Sequence, residues 1–282
     1  MPTQAEKAAQ FQALHQRHEV LVIGNPWDAG TARILTGLGF SALSTTSAGL
    51  AFTLGRKDGT ASVSRDEALA NAKSIVEATP LPVAADLENG YGQSPEAAAE
   101  TIRLAAETAG LVGGSIEDAT GDPLHPIYDF HHAVERIAAA AAAAHALPFP
   151  FMLVARAENY LHGRPDLDDT IRRLQAFEAA GAEVLYAPGI TSPEDIRAVC
   201  ASVRKPVNVL MGLKGVPLLT VKELGALGVG RVSLGSGFSR AALTAFLNAA
   251  REVIDQGTFT FTSDALYMSE LVKLFDAQED TR

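Results

Sequence analysis

Eight times along this chain a short apolar run gives way to a turn and then to a longer stretch with helical spacing. The runs are Val20 to Ile23, Ser41 to Ser44, Pro82 to Ala85, Gly113 to Glu117, Phe151 to Ala155, Glu183 to Tyr186, Val207 to Leu210 and Val232 to Leu234. The helical stretches that follow are Asp28 to Leu38, Ser64 to Thr79, Ser94 to Ala109, Phe130 to Ala146, Leu167 to Ala180, Ser192 to Ser202, Thr220 to Leu227 and Phe238 to Gln256. Short continuous apolar strands suit a parallel sheet buried on both faces. Strict β/α alternation implies right-handed crossovers. Eight such units in about 250 residues predict an α/β fold, a (β/α)8 TIM-type barrel. A doubly wound open sheet is the competing architecture, but it usually carries fewer strands and a Gly-rich first turn. Here the first turn is Gly24-Asn25-Pro26-Trp27-Asp28, without GxGxxG spacing.

Local punctuation agrees with the units. Ser94-Pro95 and Ser192-Pro193 each read as a helix cap followed by Pro at the first helical position. Gly110, Gly181 and Gly228 stand where helices should stop. Pro82 and Pro206 open strands, where a missing N–H does least harm. The Ala run Ala138 to Ala144 reads as a strong helix former under a tight packing contact. No linker divides the chain, so residues 1–282 read as one domain. Beyond Gly257, Leu266, Tyr267, Leu271, Leu274 and Phe275 recur at helical spacing, making 258–282 a helical extension. An eight-unit barrel needs no ninth outer helix, so this apolar face packs either on the barrel wall or on a neighbouring subunit.

Charge and cysteine content narrow the function. With 23 basic against 33 acidic residues the net charge is −10. That opposes a nucleic-acid partner, which needs clustered Lys and Arg. It does not oppose a small anionic substrate, since one Arg or one metal ion reverses a local field. The single Cys200 excludes an intramolecular disulfide framework or a Cys-cluster metal site, and fits a reducing compartment. No apolar run approaches the roughly 20 residues of a membrane span. The N-terminus lacks the apolar centre of a signal peptide, so a soluble cytoplasmic protein with no membrane partner is the expectation.

A barrel of this kind carries its chemistry at the C-terminal ends of its strands. Polar residues gather there: Trp27 and Asp28, Thr45 to Gly49, Asp86 and Glu88, Glu117 and Asp118, Arg156, Glu158 and Asn159, Tyr186, Asn208, and Gly235-Ser236-Gly237. Asp86 and Glu88 are two apart on a strand and so should share a face. With Glu117 on the adjacent strand and Asp58 on a long loop, they form an acidic mouth that repels itself unless a cation sits within it. All-oxygen ligation favours Mg²⁺ or Mn²⁺. The structural alternative is that Asp86 and Glu88 cap the turn before Gly90-Tyr91-Gly92. Arg156, the one basic residue expected at a strand end, suits a carboxylate clamp or an enolate stabiliser; an ion pair with Glu117 or Glu158 is its structural alternative. Among the seven histidines no pair has metal spacing. His125 and His162 sit in mouth loops and are acid/base candidates, and no Ser-His-Asp arrangement or nucleophile elbow is visible.

The motifs Asn25-Pro26-Trp27-Asp28-Ala29-Gly30, Thr45-Thr46-Ser47-Ala48-Gly49, Leu54-Gly55-Arg56-Lys57-Asp58-Gly59, Ala85-Asp86-Leu87-Glu88-Asn89-Gly90-Tyr91-Gly92, Ile116-Glu117-Asp118 and Ala155-Arg156-Ala157-Glu158 resemble, in this order, the isocitrate lyase/phosphoenolpyruvate mutase superfamily. The resemblance runs from about residue 20 to 255. It implies a barrel that binds Mg²⁺ directly through Asp86, with Asp58, Glu88 and Glu117 holding its waters. It further implies that the backbone around Ser47, Ala48 and Gly49, with Trp27 nearby, holds a 2-oxo acid carboxylate, that Arg156 faces the substrate, and that Asn208 lines the far wall. Members break or rearrange a C–C or P–C bond beside an enolate, and form tetramers that exchange the last helix. For this chain a homotetramer or homodimer is therefore expected.

One stretch departs from the pattern. The family's mobile loop after the fourth strand is rich in Lys, with Cys in the lyases; the matching stretch, Ala119 to Asp129, is shorter and has neither. It offers Asp122, His125 and Tyr128 instead. The expected function is a Mg²⁺-dependent C–C lyase or decarboxylase acting on a small 2-oxo or 2-hydroxy dicarboxylic acid, with His125 or Tyr128 as proton donor. P–C chemistry on a phosphonate and non-catalytic binding of a 2-oxo acid are the alternatives.

Overall fold

The apolar runs form eight short strands in a computed structural model that describes residues 1–17, 19–213 and 218–276. They are β1 (Leu21–Val22), β2 (Leu43–Ser44), β3 (Val83–Asp86), β4 (Gly113–Glu117), β5 (Met152–Arg156), β6 (Val184–Tyr186), β7 (Val207–Leu210) and β8 (Arg231–Ser233). All neighbours are parallel, in the order β1-β8-β7-β6-β5-β4-β3-β2. A parallel bridge between Gly24 and Leu43 joins the two ends, and the Ser44 N–H donates to the Gly24 carbonyl at 2.9 Å. The sheet is thus a barrel, as the eight units imply.

The helices are α1 (Gln4–His15), α2 (Ala29–Gly37), α3 (Ser47–Thr53), α4 (Arg65–Ala78), α5 (Pro95–Ala109), α6 (Phe130–His145), α7 (Leu167–Ala179), α8 (Pro193–Ser202), α9 (Val221–Ala226), α10 (Gly237–Gln256) and α11 (Met268–Asp276). The caps stand where the sequence places them. Ser94 accepts the Ala97 N–H, Ser192 accepts the Asp195 N–H, and Gly110 takes the left-handed conformation that ends α5. The Ala run lies in α6, whose Ala133, Ala140, Ala141 and Ala144 are buried in the same core as Ala98, Ala105, Ala106 and Ala109 of α5. Small side chains let these two helices approach closely.

Besides α11, two helices are additions to the eight units. The N-terminal α1 looks polar in sequence, yet Lys7, Ala8, Phe11 and Leu14 are buried along one side. A capping box between Thr3 and Glu6 starts it. It closes the N-terminal end of the barrel, where Phe11 packs with Leu21, Ile23, Val112, Met152 and Val184. A side chain at Gly113 would place its Cβ 2.9 Å from the Phe11 ring, so glycine is required for the plug to seat. The second addition, α3, is a short helix capped by Thr46 directly at the mouth.

The last helices depart from a simple barrel. Of α10 only Ser239 is buried, and Leu243, Phe246, Leu247 and Ile254 are exposed. Where an eighth outer helix would cover β1, Leu14, Val20, Val22, Leu38 and Phe40 line an open groove of about 360 Å³. The α11 helix packs against α2 of its own barrel wall, with Leu274 and Phe275 half-buried and Tyr267, Met268 and Val272 exposed. The end of the extension, 277–282, lies outside the described residues.

Candidate active site

The strand ends assemble the site. Glu117, Arg156, Tyr186, Asn208 and Arg231 are successive register partners across β4, β5, β6, β7 and β8. On the other side of the mouth stand Asp86 at the end of β3 and Ser47 at the start of α3. An inner cavity of about 170 Å³ is lined by Ser47, Asp58, Asp86, Arg156, Tyr186 and Asn208, among others. An outer cavity of about 620 Å³ is lined by Glu88, Tyr91, Glu117 and His162, among others.

Arg156 is the centre of charge. Its Nη1 donates to Asp86 Oδ1 at 2.8 Å, its Nη2 pairs with Glu117 at 3.2 Å, and its Nε donates to Glu158 at 2.8 Å. The guanidinium also lies over the Tyr186 ring, 5.2 Å from its centroid. Burial works against its charge, but Glu158, Asp86 and Glu117 outweigh this and hold it protonated. The ion pairs that the sequence offers as an alternative to a substrate clamp therefore exist. A guanidinium nevertheless carries more N–H donors than these contacts use.

The carboxylates are crowded. Asp86 Oδ2 accepts from Ser47 Oγ at 2.9 Å, and Asp86 Oδ1 accepts the Glu88 N–H at 3.2 Å. Burial, and then the neighbouring Asp86, push the Asp58 carboxyl up. Burial, Asp86 and Asp58 push Glu88 up to about 7. Burial raises Glu117 well above the usual carboxylate range; Arg156 opposes this, while Glu158, Asp86 and Glu88 add to it. In each of these shifts burial comes first and the neighbouring carboxylates add to it.

Glu88 is placed differently from the strand alternation expected for it. The strand ends at Asp86, and Glu88 takes a left-handed backbone with φ +48°. Its side chain therefore lines the outer cavity, while Asp86 lines the inner one. The Glu88 N–H bond to Asp86 is the turn cap that the sequence suggested as an alternative role.

The remaining expected residues divide into those at the site and those away from it. Asn208 lines the inner cavity and donates to Ser233 Oγ at 2.9 Å, with its own Oδ1 unpartnered. Ser47 and Ala48 line it too, but the Gly49 N–H is taken by the Thr46 cap. Trp27 packs behind α3, where its Cβ would lie 2.9 Å from a Cβ added to Gly49. Asp118 turns away from the mouth to accept the Glu158 N–H at 2.8 Å and to pair with Arg173 of α7 at 3.0 Å. His125 is not brought to the site. Its side chain is 83% exposed at a loop tip, bonded to Asp122 at 3.2 Å. Tyr128 is buried, with the Arg136 guanidinium over its ring.

Sequence reading missed Asn25 and Arg231. Asn25 joins three strands: its Oδ1 accepts the Leu234 and Gly235 N–H groups, and its Nδ2 donates to the Ser44 carbonyl. Arg231 was hidden because the apolar run was read from Val232, one residue too late. Arg156 is therefore not the only arginine that lines the inner cavity.

A parallel eight-stranded barrel with its charged residues gathered at the strand ends defines the class of (β/α)8 proteins that carry their active sites at that face. Residues 11–254 match the phosphoenolpyruvate phosphomutase family model, and the chain belongs to that family, within the isocitrate lyase/phosphoenolpyruvate mutase superfamily of enzymes. An uncharacterized protein of Mycobacterium tuberculosis is 34% identical over 248 residues, 87% of this chain and 89% of that one. An oxaloacetate decarboxylase of Bradyrhizobium diazoefficiens is 32% identical, with 65% of this chain and 64% of that protein covered. A crystal structure from Burkholderia cenocepacia, provisionally named a lyase/mutase, shares 58% identity at TM-score 0.93, with 96% of each chain covered. Among the described residues no helix is long and apolar enough to cross a membrane.

Proposed function

We propose that the protein is a Mg²⁺- or Mn²⁺-dependent lyase that breaks a C–C bond in a small 2-oxo or 2-hydroxy dicarboxylic acid and leaves an enolate. The observation that carries this reading is Arg156, held by Asp86, Glu117 and Glu158 in the wall of a cavity of small-acid size. Among the described residues no three His, Cys, Asp or Glu side chains converge to ligate a metal directly. The donor set nevertheless fits a hard cation that keeps most of its waters. Asp86 would touch the ion, and Asp58, Glu88 and Glu117 would hold its waters. The raised carboxyls of Asp58, Glu88 and Glu117 are those a cation would restore to the charged form. When bound, the ion polarises the substrate's 2-oxygen.

The chain's own residues do the rest. Arg156 presents its spare N–H groups to the oxygen on which charge develops, in a buried setting where such donors are worth most. Ser47 orients Asp86 through its hydroxyl. The backbone of Ser47 and Ala48, on an α3 braced by Trp27, holds the carboxylate next to the 2-oxygen, and Asn208 faces the substrate from the far wall; Gly49, its N–H committed to the Thr46 cap, has no part in this. His125 and Tyr128 do not line either cavity; Tyr186 on the inner cavity and Tyr91 and His162 on the outer one are the proton-donor candidates that do. The stretch after β4 closes on itself through an Ala119–Ile127 bridge and a Thr120 N–H bond to the Pro126 carbonyl. That stretch supplies neither the Lys nor the Cys of the family's mobile loop, so the loop chemistry of the lyases and the closed lid of phosphoryl transfer are both absent from it. The exposed face of α10 is assigned to a second copy of the chain, in a homodimer or homotetramer.

A Mg²⁺-dependent assay over oxaloacetate, isocitrate, methylisocitrate, dimethylmalate and phosphonopyruvate tests the reading. Pyruvate or glyoxylate without phosphate is expected, and Asp86→Ala should abolish it while the fold stays intact. Phosphate release would move the protein to the phosphonate branch. Tight binding of a 2-oxo acid with no turnover on any compound would make it a binding protein.

A further inference from the structure

Arg231 opens β8 and is only 4% exposed, yet it lines the inner cavity together with Asn208 and Ser233. Its Nε and Nη1 have no hydrogen-bond partner, and no described carboxylate pairs with it. Its surroundings supply no negative charge. His15 of the plug helix is pushed down to about 4, first by burial and then by Arg231 itself, and so is neutral near pH 7. Burial keeps the Tyr186 hydroxyl protonated. Glu183, whose charge acts on His15, is engaged by Lys205 at 2.7 Å. Burial lowers the Arg231 guanidinium only to about 10, so it remains a cation at neutral pH.

A buried, unpaired guanidinium costs several kcal/mol, and a water molecule hydrates it without neutralising it. A carboxylate does both, and matches its planar fork. The inner cavity, at about 170 Å³, has the volume of several waters. That accommodates a short diacid.

We propose that Arg231 binds the distal carboxylate of a short dicarboxylic substrate whose 2-oxo acid end lies at Asp86, Ser47 and Arg156. The inference rests on the lyase reading and specifies its substrate class: the site selects a dianion over the monoacid of the same length. Arg231 acts from the floor of the cavity and Arg156 from its wall, so the two arginines divide the two ends of one ligand.

Calorimetric titration in the presence of Mg²⁺ tests this with two matched pairs: 2-oxobutyrate against oxaloacetate, and 2-oxovalerate against 2-oxoglutarate. The native protein should bind at least one diacid about tenfold more tightly than its monoacid, a difference of about 1.4 kcal/mol. Arg231→Met should bring that ratio to about one while monoacid affinity changes less than about twofold. Arg231→Lys keeps the charge but loses the fork, and should give an intermediate ratio. If the Met variant does not fold, the native ratio and the Lys variant decide. Monoacid binding without any diacid preference, or a preference that survives Arg231→Met, overturns the role of Arg231 and leaves the lyase reading standing. Failure of every acid to bind overturns both.

Discussion

Replacing Arg156 by Met tests the electrostatic logic of the site directly. The side chain is 13% exposed and its partners Asp86, Glu117 and Glu158 are 18%, 17% and 4% exposed. Removing one member of a buried ion pair leaves its partners charged and uncompensated, a loss of about 3–5 kcal/mol. The loss should depend on pH with a definite sign. Glu117 is already raised well above 4.5 with Arg156 beside it, and without that cation it rises further. Over the interval between its unfolded and folded values, the folded variant holds protons that the unfolded chain has released. Stability from that group is present in full below about pH 4.5 and is lost as pH rises through the folded value. The deficit against the native protein should therefore grow as pH rises and shrink on acidification toward about pH 4.5. Urea unfolding followed through Trp27, the one tryptophan, measures it. Adding Glu117→Gln to the variant should recover part of the loss at pH 8. A deficit below about 1 kcal/mol at pH 8, or one that grows on acidification, would refute the reasoning.

Gly49→Ala would place a Cβ 2.6 Å from Thr46 Cγ2 and 2.9 Å from Trp27 Cβ. It should destabilise by about 1–3 kcal/mol as an overpacked site, and raise KM for the acid substrate more than it lowers kcat; an unchanged melting temperature would show that α3 yields freely. Phe246→Glu alters the centre of the exposed α10 face, where Phe246 is 71% exposed. It should reduce the particle mass in light scattering, whereas an unchanged mass would remove α10 from the subunit interface.

Much of the barrel is legible in the sequence because its signals are local. Strands buried on both faces read as unbroken apolar runs, and serine–proline caps and terminal glycines mark helix ends within a few residues. Given eight units, the rule that barrels work at their strand ends leads straight to Asp86, Glu117 and Arg156. The left-handed turn at Glu88 was not legible. A two-residue alternation holds only while the chain stays a strand, and here the strand stops at Asp86. Nor was α1, since a helix with four buried residues and a polar remainder looks like a solvated tail until the open end of a barrel is there to receive it.

By itself the sequence determined the order of elements, the parallel barrel, and an acidic mouth with one arginine at its wall. These follow from periodicity and from chain connectivity, which are properties of neighbours along the chain. Only the tertiary structure decided that His125 stands in solvent, that α10 leaves its own barrel bare beside β1, and that Arg231 reaches the cavity floor without a counter-charge. Those outcomes depend on which distant groups share a volume once the barrel has closed, and on how far burial strips water from a charge.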